Sequence, residues 1–80
     1  MRVIAEIPNS YCRISILSMN QKFIIKIEKG NYEQIYKVSE MDLFFGLEDV
    51  KKMLNEAFII KVLERFRKMD QDFSEELSAI

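Results

Sequence analysis

Eighty residues, 49% of them hydrophobic and 31% charged, are enough chain for one hydrophobic core and too few for two, and this balance lies far from the polar, highly charged composition of disordered chains. One cysteine, Cys12, and no histidine exclude an intramolecular disulfide and a Cys/His zinc site. The net charge of −1 conceals a split, because residues 1–39 carry six Lys/Arg against three Glu whereas residues 40–80 carry six Lys/Arg against ten Asp/Glu.

A domain of this size buries only about 60 to 65% of the surface exposed by its unfolded chain, so self-association would add to a thin stability margin. The opening residues hold no apolar run ahead of a small-residue cleavage site, and no segment approaches the roughly 20 apolar residues of a membrane span. The expectation is a cytoplasmic α+β domain over residues 1–80, without a membrane anchor.

From Arg2 to Ser39 the apolar pattern has period two, the mark of half-buried strands. Turn residues interrupt it at Pro8-Asn9-Ser10, Asn20-Gln21 and Gly30-Asn31. Strands are therefore predicted over 2–7, 11–19, 22–29 and 32–38. Two-residue loops at the second and third breaks set Ile14 opposite Ile27, Ile16 opposite Ile25, Ile25 opposite Tyr36 and Phe23 opposite Val38. A first loop over 8–11 would set Ile7 opposite Cys12, Ala5 opposite Ile14 and Val3 opposite Ile16. All three registers then place the apolar residues on one face, which predicts a four-stranded antiparallel meander in order 1-2-3-4 with Val3, Ala5, Ile7 and the inward residues of the other strands toward the helices.

After Ser39 the period becomes helical. Met41, Leu43, Phe44 and Phe45 are too apolar for a free loop and are expected against the core. Leu47, Val50 and Leu54 share a face of a short helix over 47–54. Asn55 is the expected N-cap of a second helix with apolar residues at Ile59, Val62, Leu63, Phe66, Met69, Phe73, Leu77 and Ile80. Both amphipathic helices would pack on the same sheet face. A competing reading kinks the second helix near Asp70-Gln71-Asp72, with Asp72 and Glu75 as a capping box for a last folded-back turn.

The search for chemistry is mostly negative. Without histidine, the usual general base is missing. Cys12 falls on the core parity, where a thiol acts as a small inert hydrophobe. The two glycines, Gly30 and Gly46, are too far apart for a phosphate loop, and no nucleophile elbow, dinucleotide fingerprint or metal spacing occurs. No catalytic, cofactor-binding or metal-binding residue is assigned, and no enzymatic activity or cofactor is expected.

Three surfaces remain. The outward parity of the sheet collects Arg2, Arg13, Lys22, Lys26 and Lys37, a basic face suited to solvation and partner orientation. It has no mid-strand aromatic on which a base could stack, which counts against the nucleic-acid-binding alternative. Leu17, Ile24 and Ile35 form an apolar patch among those charges, a candidate partner surface. The third is the end of the second helix: at 1.5 Å per residue a helix over 56–80 is about 37 Å long, longer than strands of about 20 to 27 Å, so it should overhang. Its stripe of Phe66, Met69, Phe73, Leu77 and Ile80 stays apolar to the end, a candidate homodimer interface formed as a short antiparallel or crossed helix pair. The leading expectation is a non-enzymatic interaction module that self-associates through this helix.

Overall fold

The structure, a computed structural model, describes residues 2–80. Its elements are strands β1 (Arg2–Ile7), β2 (Arg13–Met19), β3 (Lys22–Lys29) and β4 (Tyr32–Ser39), a 3₁₀ turn at Glu40–Asp42, and helices α1 (Leu47–Met53) and α2 (Glu56–Ser78). The strands form one antiparallel sheet in order β1-β2-β3-β4, and both helices pack on the same face of it.

Turn chemistry sets the second and third connections. Asn20 and Gln21 both take the left-handed conformation, at φ 52° and 62°, which matches the twist of the strands they join. Gly30, at φ 59°, occupies the first position of the β3–β4 loop, where a missing Cβ removes the steric penalty. The resulting pairs, Ile14 with Ile27, Ile16 with Ile25, Ile25 with Tyr36 and Phe23 with Val38, are those expected from the pattern.

The first hairpin departs from expectation twice. Asn9 Oδ1 accepts from the backbone N–H of Tyr11 at 2.8 Å and of Cys12 at 3.3 Å, curling the chain into a longer loop. Strand β2 thus begins at Arg13, and Ile7 pairs with Ile14 instead of Cys12. A two-residue shift preserves parity, so Ile7 and Ala5 still face the helices. A β-bulge between Val3 and Ala5 then inserts Ile4 as an unpaired residue. Ile4 turns toward the core, Val3 joins Leu17 on the outer face, and Arg2 moves opposite Ser18, off the outer face where the alternation had put it.

The core joins Ile14, Ile16, Phe23, Ile25 and Ile27 of the sheet to Val50 and Leu54 and to Ile59, Val62 and Phe66 of α2. Asn55 caps α2 as its residue type demands, its side chain accepting from the Phe58 N–H at 2.9 Å. Helix α2 is one continuous element of 23 residues through Asp70-Gln71-Asp72, about 34 Å long, so the kinked reading is set aside. It carries past the sheet and draws the molecule out to 47 × 25 × 19 Å.

The 41–45 segment is the other correction. Leu43 alone packs against the core, while Met41, Phe44 and Phe45 are exposed. Asp49, in the first turn of α1, explains this, because one of its carboxylate oxygens accepts from the N–H groups of Phe44 at 2.9 Å and Phe45 at 2.8 Å. Those bonds fix the backbone across the helix start and leave both rings outward. Gly46, at φ 60°, makes the turn into α1.

Candidate functional site

Among the described residues no group of three or more His, Cys, Asp or Glu converges as metal ligands would, and no helix is long and apolar enough to cross a membrane. Cys12 is half-buried, and its nearest polar partner is Asn9 Oδ1 at 3.6 Å. Burial pushes its thiol above the ordinary value, partly opposed by the charge of Lys29, which disfavours the reactive thiolate. An open concavity of about 460 Å³ between the Gly30-Asn31 turn and α2 is lined by Tyr32, Arg67 and Asp70 among others, and holds no nucleophile beside a base.

The densest polar cluster is a clamp. Gln34, 8% exposed on the core side of β4, donates from Nε2 to the Val62 carbonyl at 2.9 Å. Its Oε1 accepts from the Tyr36 hydroxyl at 2.8 Å and from Arg65 Nη1 at 3.1 Å, and the same Arg65 nitrogen reaches the Tyr36 oxygen at 2.8 Å. Tyr36 also meets Phe58 edge to face, with ring centroids 5.4 Å apart. Every member has a partner within the cluster, which fastens α2 to the edge strand. Sequence reasoning missed it. The signal was there in an amide amid the apolar parity of β4.

The anticipated interface residues on α2 divide. Phe66 is 2% exposed inside the core, and Met69 is half-buried against it. Phe73, Leu77 and Ile80 are exposed, as is every residue from Asp70 onward. Tyr32 follows the helix this far, donating its hydroxyl to Asp70 Oδ1 at 3.0 Å and meeting the Phe73 ring edge-on at 6.3 Å. Desolvation by its surroundings and the nearby Asp70 carboxylate both raise the Tyr32 phenol above its usual value.

On the outer face, Val3, Leu17, Ile24 and Lys37 form one register row across the four strands. Ile24 is only 6% exposed although it lies outside the helix-packed core, so its neighbours on the sheet cover it. Ile35, diagonal to it, is 52% exposed. The basic residues are unequal. Arg13 pairs with Glu6 at 3.0 Å, and Lys26 lies 3.8 Å from Glu28 and 3.7 Å from Glu33. Lys22 and Lys37, which border Ile24 along and across the strands, make no ion pair among the described residues.

The Phe44-Phe45 pair forms a further exposed apolar point, with Lys52 Nζ 5.9 Å from the Phe45 centroid. An acidic residue three positions after a helix-starting glycine, able to reach back to free N–H groups, was the available clue.

Comparison of the chain with protein-family models, with curated proteins and with solved structures gives no match. The functional reading therefore rests on the molecule's own surfaces.

Proposed function

We propose that the chain is a non-enzymatic interaction module, acting in the cytoplasm, that self-associates through the exposed end of α2. The observation that carries this reading is the exposed apolar stripe of Phe73 and Leu77 at the end of α2, continued by Ile80 just past the helix. A helix end meant for water would lose its apolar periodicity, and this one keeps it from Met69 through Phe73 to Leu77. A free half-buried thiol is compatible with a reducing compartment.

Nucleic-acid binding through the sheet is disfavoured, because Arg13 and Lys26 are already paired with carboxylates and the outer rows carry no mid-strand aromatic. Light scattering on the full chain at micromolar concentration should show a mass that rises with concentration. Phe73→Glu with Leu77→Glu, both at exposed positions, should return the monomer without loss of helix or sheet. A full-length monomer across the whole range would refute the proposal.

A further inference from the structure

The two ends of α2 differ in charge. Residues 56–69 hold four Lys/Arg against two Glu, whereas residues 70–80 hold Asp70, Asp72, Glu75 and Glu76 and no base. This places carboxylates at the negative end of the helix macrodipole, with no basic residue in the last turn, where they oppose the helix. Helix α1 has the ordinary arrangement, acidic in its first turn and basic in its last. The acids of the α2 end thus act against local stability; Asp70 accepts from Tyr32 and Ser74 and Glu75 from Gln71, whereas Asp72 and Glu76 have no side-chain partner among the described residues.

Self-association end against end would make matters worse, since Asp70, Asp72 and Glu76 of each copy would flank the shared apolar stripe. The molecule carries a surface of opposite character on the far side of the sheet. Val3, Leu17 and Ile35 present apolar surface around the buried Ile24, and Lys22 and Lys37 beside them lack carboxylate partners among the described residues. The dimensions also agree. Phe73 to Leu77 spans about 6 Å of helix at 1.5 Å per residue, and the adjacent Val3 and Leu17 lie about 5 Å apart at the usual strand spacing.

Resting on self-association through α2, we infer that the acidic, apolar end of α2 docks on the outer sheet face of a second copy of this chain, with Asp72 and Glu76 near that copy's Lys22 and Lys37. The bulge at Ile4 contributes directly, because it delivers Val3 to the docking row. The contact joins unlike surfaces. It therefore closes into a dimer when reciprocated and extends into a chain of copies when not.

Charge reversal separates this arrangement from end-to-end pairing, and every position involved is exposed. In sedimentation equilibrium of the full chain, Asp72→Lys with Glu76→Lys should weaken association by about tenfold or more, and Lys22→Glu with Lys37→Glu should do the same. The chain carrying all four substitutions should regain most of the lost affinity. End-to-end pairing predicts the opposite for the first variant, which would relieve repulsion and associate more tightly. That result, or a lysine variant that associates like the parent, would overturn the docking assignment while leaving self-association through α2 intact. A parent chain that stays monomeric would overturn both. Unchanged far-ultraviolet circular dichroism of each variant establishes that the differences report the contact and not the fold.

Discussion

The two halves of α2 are built from the same apolar periodicity and have opposite fates. Before Met69 the stripe of Ile59, Val62 and Phe66 is buried, and the helix is fastened by the Gln34, Tyr36 and Arg65 cluster. After it, Phe73 and Leu77 present the same stripe to solvent, with Tyr32 against Asp70 and Phe73. The difference is set by the sheet, not by the helix, because the end residue of β4, Tyr32, meets α2 at Asp70 and Phe73, and Leu77 lies beyond it. A shared hydrophobic pattern therefore marks both a core and a surface, and only the length of the opposing element separates them.

The contrast yields three stability predictions, each measured by urea denaturation at concentrations where the chain is monomeric, since association would otherwise add to the apparent stability. Phe66→Ala should cost about 3 to 5 kcal/mol as a large truncation in a closed core. Gln34→Ala should cost about 1 to 3 kcal/mol, because it removes the acceptor of the Tyr36 hydroxyl and leaves the Val62 carbonyl without its side-chain donor. Phe73→Ala should stay within about 0.5 kcal/mol, the range of ordinary surface changes. A Phe73→Ala loss comparable to that of Phe66→Ala would erase the distinction between the halves.

Much of the fold could be read from residue order because its determinants are local. Asn20-Gln21 and Gly30-Asn31 are short loops whose backbone demands match their residues, and they fix register for three of the four strands. Asn55 likewise announces the start of α2. The misses came where a side chain redirected the backbone. Asn9 lengthened the first loop, and Asp49 turned Phe44 and Phe45 outward although their apolarity argued for burial. The bulge at Ile4 had no glycine to mark it, so the placement of Val3 and Arg2 followed strict alternation and failed. Of the interface residues, the exposed Phe73, Leu77 and Ile80 follow from comparing helix and strand lengths. Phe66 does not, because that comparison gives how much overhangs and not where the overhang begins.

The protruding end of α2 also governs how the monomer moves through solvent. A compact chain of 80 residues has a radius of gyration of about 12 Å, from the scaling of globular domains. This one reaches 14.4 Å, with one axis nearly twice the next. A rod-like particle diffuses and elutes like a larger sphere, so the isolated monomer will travel through a sizing column ahead of globular standards of its own mass. Docking of the protruding end on a neighbouring sheet would draw that mass inward. The drag per chain would then fall as the mass doubles.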